Sequence, residues 1–374
     1  MFQGTAVPLI ELKNVMKYYD DKKVLDNVSL TIEDKSITCI LAPPNSGKTT
    51  LLKIIAGLEK PDSGTIEFDR KDVTRLLPVE RKVAMVFQSF ALYPHMSCFD
   101  NIASPLRITG KSQSEIQQKV REVSKLLKIE HVLNRRPAEL SGGEKQRVSI
   151  ARALVRDDVE IYLLDEPLTN VDYKIREEMR AELRRIFKEK GGTIILASPD
   201  PLDAFAIAQN VVVMYMGKIL QTGRTREIYN RPANTLVGQI FSRPQMNLIE
   251  ATLKRSNDKI YLNLGDVNID ATKIKQLLTE DRYLIGIRAE KIFFVGKEIP
   301  EDTISLVANV IITEVEGSES VVHLDWDGKR LVMHCPFIKR VEPGERVQIA
   351  FKLGDLFIFK SSDGCLLTKY GEYK

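Results

Sequence analysis

Leu41-Ala42-Pro43-Pro44-Asn45-Ser46-Gly47-Lys48-Thr49-Thr50 decides how the rest of this 374-residue chain is read. Its second half has what a phosphate-binding loop needs: Gly47 where the backbone approaches the phosphates, the Lys48 charge for the outer phosphates, and a Thr49 hydroxyl able to ligate Mg²⁺. The apolar run Ile37 to Leu41 precedes it and Leu51 to Ala56 follows, the strand–loop–helix setting in which a helix N-terminus also faces the phosphates. The first half departs from the pattern G-x-x-x-x-G-K-[ST], with Ala42 in the place of the first glycine and two prolines after it. Such a loop is either a chance match or a modified site, and other stretches must decide between them.

Composition narrows the field. The length allows about two to three domains, and 43% hydrophobic with 28% charged residues describes an ordinary soluble globular chain. A net charge of +4, dispersed along the sequence, reads as a solvated mixed-sign surface and gives no argument for nucleic acid. Cys39, Cys98, Cys335 and Cys365 are far apart with no C-x-x-C pair, so neither a metal cluster nor a disulfide framework is expected. The four histidines show no H-x-x-x-H spacing. Met1 to Pro8 lacks the pattern of a signal peptide, and no apolar run reaches the ~18 residues of a membrane span. Docking on a membrane remains open.

Along the chain, Leu9 to Val15 and Val24 to Ile32 read as strands, with Lys17-Tyr18-Tyr19-Asp20 as an exposed aromatic pair in a polar turn between them. A helix is expected over 48–56, a turn at Pro61 to Gly64 and a buried strand over Lys82 to Phe87. From about 93 to 150 the character is helical, with a capping-box pattern at Ser112 to Glu115. Val159 to Leu164 is a buried strand, Ile175, Met179, Leu183 and Ile186 mark a long helix stopped by Gly191-Gly192, and strands follow at 193–197 and 211–214. This alternation predicts an α/β domain with a largely parallel sheet and a helical insertion over residues 1–240. Residues 241–374 carry short alternating runs punctuated by Gly317, Asp327-Gly328, Pro343-Gly344 and Asp363-Gly364, which predicts an all-β module of small-barrel type.

Three further stretches support a true phosphate loop. Leu140-Ser141-Gly142-Gly143-Glu144-Lys145-Gln146-Arg147 puts a serine and two glycines ahead of a helix, a second anion-binding N-terminus. Asp165-Glu166 ends a buried apolar strand, where Asp165 is suited to hold a metal and Glu166 to polarise an attacking water. Gln88 ends another strand with an amide able to reach both.

With these residues in this order, the chain resembles the ATPase subunits of ABC transporters, in the importer branch for maltose, glycerol 3-phosphate and similar solutes. The run Phe87-Gln88-Ser89-Phe90-Ala91-Leu92-Tyr93-Pro94-His95 is especially close to that branch. Ile240 to Asn247 and Gly286-Ile287-Arg288-Ala289-Glu290 resemble its C-terminal regulatory domain of oligonucleotide-binding-fold type. The resemblance implies a P-loop fold with ATP and Mg²⁺ as cofactors. It places Tyr19 against adenine, Ala42, Pro43, Pro44, Asn45, Ser46, Gly47, Lys48, Thr49 and Thr50 around the phosphates, Thr49, Gln88 and Asp165 around the metal, and Glu166 as catalytic base assisted by Gln88. Ser141, Gly142, Gly143 and Glu144 would face the ATP of a second ATPase subunit, with Asp172 at the same interface. Residues from about Ser89 to Asn101, His95 among them, would line the groove for the transmembrane permease subunits, which themselves meet an extracytoplasmic solute-binding protein. That arrangement sets the chain peripherally at the cytoplasmic face of the membrane.

The departures carry information too. Where the family has a histidine that meets the γ-phosphate, this chain has Pro199, with neither a side-chain donor nor a backbone N–H. Ala42, Pro44 and Asn45 alter the phosphate loop, although asparagine tolerates a left-handed backbone. The expectation is an importer subunit whose own nucleotide site turns over slowly and which pairs with a paralogous ATPase. A homodimer with two imperfect sites and a non-transport regulatory or DNA-transaction ATPase are the alternatives; the chain shows no long coiled coil for the latter.

Overall fold

The computed structural model describes residues 8–169, 171–256, 258–296 and 301–373. The chain divides into two compact units, Met1–Thr225 and Arg226–Lys374.

In the first unit, β1 (Pro8–Tyr19) and β2 (Lys22–Glu33) form a long antiparallel hairpin. β3 (Ile37–Leu41) runs into the loop at 42–47 and then α1 (Lys48–Ala56). β4 (Ser63–Phe68) and the short β5 (Lys71–Asp72) join the hairpin in an antiparallel sheet of order β2-β1-β4-β5. β6 (Val83–Val86) is followed by the helical insertion, α2 (Cys98–Ile108), α3 (Gln113–Leu126) and α4 (Gly142–Leu154). The chain then alternates: β7 (Ile161–Asp165), α5 (Tyr173–Lys190), β8 (Thr193–Ser198), α6 (Pro201–Ile207), β9 (Asn210–Tyr215) and β10 (Lys218–Arg224).

The second sheet has the order β10-β9-β3-β8-β7-β6, parallel except for β10 at its edge. β3, β7 and β8 are buried at every residue, as expected of parallel strands covered on both faces. Only β2 of the antiparallel sheet shows clean inside–outside alternation. The largely parallel sheet thus accounts for one of two sheets. Tyr18 and Tyr19 belong to the end of β1, with Tyr19 paired to Lys22, so the turn is shorter than the sequence suggests. Ser63 and Gly64, expected in a turn, start β4; an extra Cβ at Gly64 would lie 2.5 Å from the Asn14 carbonyl oxygen, so only glycine lets the strands approach.

The second unit begins earlier than the expected residue 241, because α7 (Thr225–Asn230) and α8 (Thr235–Ile240) are tied into the β-module. The Arg288 guanidinium, 1% exposed, donates to the carbonyls of Tyr229 and Phe241 and to Ser242 Oγ, and its carbon lies 3.6 Å from the Tyr229 ring centroid. The module itself is all-β. One sheet contains β11 (Asn247–Ser256), β12 (Lys259–Asn263), β13 (Asn268–Asp270), β14 (Arg282–Ile287), β20 (Phe357–Lys360) and β21 (Leu366–Lys369). The other contains β15 (Phe293–Phe294), β16 (Thr303–Glu316), β17 (Glu319–Trp326), β18 (Lys329–Cys335) and β19 (Arg346–Lys352). Residues of both, such as Ile285, Leu262, Val322 and Ile349, share one core. Arg288→Met should destabilise this unit by about 3 kcal/mol, since it orphans several buried acceptors while keeping the side-chain volume. Chemical unfolding of the full chain would show a lower midpoint for the β-rich transition.

All four cysteines are free, three of them buried.

Candidate functional site

β3, β8, β7 and β6 lie side by side in the sheet, so the loops leaving their carboxyl ends meet at one edge although they are distant in sequence. A cleft of about 1140 Å³ opens there, lined by Tyr19, residues 43–50, Gln88, Glu166 and Pro199. Lys22, Lys23, Val24, Thr169, Tyr215 and Met216 complete its wall. The sequence reading did not single out these six as lining residues, because five sit at hairpin ends, which carry no motif of their own, and Thr169 lies in the loop after β7.

The loop between β3 and α1 has the shape its sequence suggested. Asn45 takes a left-handed backbone at φ 61°, and Gly47 at φ 91°. A Cβ on Gly47 would stand 2.8 Å from the Val24 carbonyl oxygen and 2.9 Å from Leu25 Cδ2, so glycine is required there. Ala42 is different. Its N–H donates to the Ser198 carbonyl at 3.2 Å, and its methyl is fully buried in the core formed with Ile40, Leu51 and Ile195. Ala42 does not line the cleft. The missing first glycine is therefore replaced by a packed core residue away from the cleft wall, whereas Pro44 is exposed on that wall and lacks an N–H to offer.

Lys48 opens α1, yet its side chain is only 4% exposed. Its Nζ donates to the carbonyls of Ala42 at 3.1 Å and Pro43 at 3.2 Å, and lies 3.0 Å from Glu166 Oε1. Thr49 Oγ1 donates to Asp165 Oδ1 at 3.1 Å. Burial pushes the Asp165 carboxyl above its ordinary range; the Thr49 hydrogen bond opposes the shift, and the neighbouring Glu166 charge adds to it. A divalent cation beside this hydroxyl–carboxylate pair would favour the ionised form, and both are hard oxygen donors of the kind Mg²⁺ takes.

Glu166 follows β7 with φ 46°, a left-handed backbone uncommon outside glycine. Its N–H donates to the Ala197 carbonyl at 3.0 Å, which fastens the loop to β8. Oε2 accepts from Gln88 Nε2 at 3.3 Å and from Thr169 Oγ1 at 3.1 Å, while Oε1 meets Lys48. Both carboxylate oxygens are thus engaged, Oε2 by two donors and Oε1 by the lysine. Release of Lys48 from Glu166 to an incoming phosphate would free Oε1 to accept a proton from water.

Pro199 sits on a rigid base. Buried Arg180 donates through Nε to Asp203 at 2.7 Å and through Nη2 to Asp200 at 2.8 Å. Ser198 Oγ donates to Asp203 at 2.5 Å and accepts from the Asp200 N–H at 3.0 Å. Burial raises the Asp203 pKa against the opposing pull of Ser198 and Arg180. The turn is held firmly at the cleft wall, but Pro199 brings no donor to it.

The remaining expected residues are spread out. Tyr19, 41% exposed, lines the cleft with Lys17 Nζ 5.4 Å from its ring centroid. Ser141, Gly142, Gly143 and Glu144 do not line it. Ser141 caps α4: its Oγ accepts from the Glu144 N–H, and the Glu144 carboxylate accepts from the Ser141 N–H at 2.8 Å and its hydroxyl at 2.8 Å. Those bonds hold the Glu144 pKa below its ordinary range. A Cβ on Gly143 would press on Ile175 at 3.1 Å, so α4 and α5 meet closely here. Asp172 precedes α5 without capping it by its side chain, and Asn170 lies outside the described residues.

A second concavity of about 280 Å³ is lined by Tyr93, Ser104, Pro105, Ile108 and Arg152, among others. Of the expected stretch 89–101 only Tyr93 reaches it; the wall is otherwise built from α2, α4, Arg156 and residues before Ser89. His95 is exposed and tilted against Tyr93, with ring centroids 6.3 Å apart. Among the described residues no group of three or more His, Cys, Asp or Glu could hold a metal by itself.

The ABC transporter family matches residues 25–169 and the TOBE domain family residues 285–359. The chain is similar to the sn-glycerol-3-phosphate import ATP-binding protein of Rhizobium johnstonii, at 36% identity over 358 residues and 96% of each chain. It is equally similar to the trehalose/maltose import ATP-binding protein of Thermococcus litoralis, at 36% identity over 95% of this chain and 98% of the relative. A solved dimeric bacterial ABC transporter cassette superimposes with a TM-score of 0.54 at 31% identity, covering 58% of this chain and 99% of that one. A cassette bound to ADP and Pi after hydrolysis does so with a TM-score of 0.53 at 30% identity, with the same coverage. Among the described residues no helix is long and apolar enough to cross a membrane. The chain belongs to the ATP-binding subunits of ABC importers, ATPases coupled to transmembrane transport and peripheral to the cytoplasmic face of the membrane.

Proposed function

We propose that this subunit drives import of a sugar, polyol or glycerol-phosphate-like solute, and that the nucleotide site on its own phosphate loop hydrolyses ATP slowly. The solute class follows the printed activities of its relatives, import of sn-glycerol 3-phosphate and of trehalose or maltose. ATP supplies the phosphoryl bond whose hydrolysis drives transport, with Mg²⁺ offsetting its charge. Lys48 and the 43–50 loop would hold the phosphates, Thr49, Asp165 and Gln88 the cation, Tyr19 the base, and Glu166 would accept the proton of the attacking water.

The observation that carries slow turnover is Pro199, fixed on the cleft wall by the Arg180 cluster without a donor to offer. Pro44 adds a missing N–H on the same wall. Ala42 does not contribute to the deficit, since it is a core residue. The α4 terminus at Ser141–Glu144 is intact and capped, and would complete the site of a second ATPase subunit. A paralogue with a complete site is the partner this asymmetry favours. The exposed Ile108 and the groove beside it would seat a permease segment.

A homodimer is the second reading, favoured by the intact cluster of Lys48, Glu166, Gln88, Thr49 and Asp165. The mass of the intact membrane complex separates the two, since a paralogue adds a second ATPase chain. Pro199→His should raise kcat of the purified chain by about one order of magnitude, because it restores one donor at the developing charge. An unchanged kcat would sink the slow-site reading.

A further inference from the structure

The turn joining β9 to β10 holds only Met216 and Gly217 between the strands, and both are left-handed, at φ 45° and 77°. That is the geometry of a tight hairpin turn for which asparagine–glycine is the favoured pair. Gly217 is explained by its surroundings. Its N–H donates to the Ser46 carbonyl at 3.2 Å, its carbonyl accepts from the Asp26 N–H at 3.0 Å, and a Cβ would fall 2.3 Å from the Val24 carbonyl oxygen. The turn is therefore clamped between the phosphate loop and β2.

Met216 has no such explanation. A long side chain in a left-handed position is unfavourable, and here it is 70% exposed, so no core packing compensates. It lines the same cleft as Tyr19, which is 41% exposed. A planar base has two faces, and a ring on one side leaves the other to water unless an apolar group covers it. A thioether is suited to that role, being polarisable and flexible enough to settle on an aromatic face. The clamp at Gly217 keeps it in step with the loop that holds the phosphates.

We propose that Met216 is the second wall of the base pocket, holding the purine against Tyr19 and contributing to nucleotide affinity through the base alone. The inference rests on ATP binding in this cleft and is independent of the rate of hydrolysis or the identity of the partner subunit.

Met216→Asn is the decisive variant, because it installs the residue the turn prefers and so leaves folding intact or improved. Calorimetric titration of the full chain with ATP and with inorganic tripolyphosphate, each with Mg²⁺, separates base from phosphate contacts. The expected result is a Kd for ATP raised about 5-fold, the size of a sulfur–aromatic contact with its burial, an unchanged Kd for tripolyphosphate and a melting temperature no lower than the parent's. Tyr19→Ala should show the same split more strongly. An unchanged ATP affinity in Met216→Asn, or equal weakening of both ligands, overturns the proposal while leaving ATP binding itself in place. A parent chain that fails to bind ATP overturns both.

Discussion

Lys48→Ala should abolish useful nucleotide binding, raising the Kd for ATP by about 100-fold, the worth of roughly 2.7 kcal/mol for a charge-assisted contact in a sheltered site. The effect is large because Lys48 is the buried cation at the head of α1, with no second lysine or arginine among the residues of the loop itself. Its removal also leaves the carbonyls of Ala42 and Pro43 without their donor and Glu166 without its counter-charge. Calorimetry with Mg-ATP checks the affinity. A change of less than about 5-fold would show that the backbone of the loop and the α1 terminus hold the phosphates on their own.

Glu166→Gln should act on the other kinetic constant. kcat is expected to fall by about 1,000-fold, some 4 kcal/mol in the barrier, as is typical when a positioned general base is removed. The affinity for ATP should hold or improve, since Lys48 no longer has to leave a carboxylate to meet a phosphate. The glutamine can keep its hydrogen bond from Thr169 through its carbonyl oxygen, so the loop geometry should survive. Phosphate release under saturating ATP measures the first effect and equilibrium titration the second. A loss of turnover below about 10-fold would move the role of base to another group. Combined with Pro199→His, the substitution should remain inactive, because a donor for the γ-phosphate cannot replace a proton acceptor.

The two variants separate binding from chemistry on residues that touch one another, and their effects will not add. Lys48 and Glu166 share one ion pair, so each single substitution changes the environment of the other. The double variant should bind ATP more tightly than the sum of the separate free-energy changes allows, because the uncompensated carboxylate is gone.

The sequence by itself determined the family and which residues are candidates for its chemistry. Lys48 and Thr49 behind Gly47, Asp165-Glu166 at the end of an apolar run, and the Ser141–Glu144 helix start are local patterns whose residue types carry their meaning wherever they fold. It also determined the α/β and all-β halves, through burial of whole strands in one and alternation in the other. Tertiary structure alone decided what each departure does. Ala42 and Pro44 are equally anomalous on paper, but Ala42 turns into the core under β3 while Pro44 faces the cleft, and only packing assigns those directions. The antiparallel sheet was partly hidden because β4 starts at turn residues and pairs with β1, far back in the sequence, while β5 is only two residues long. Met216 and Thr169 reach the cleft through strand order, which sets β9 next to β3 on one side and β7 one strand further on the other, beyond β8. No local pattern encodes that order, because β3, β7 and β8 are alike in being buried throughout and only long-range pairing distinguishes their places.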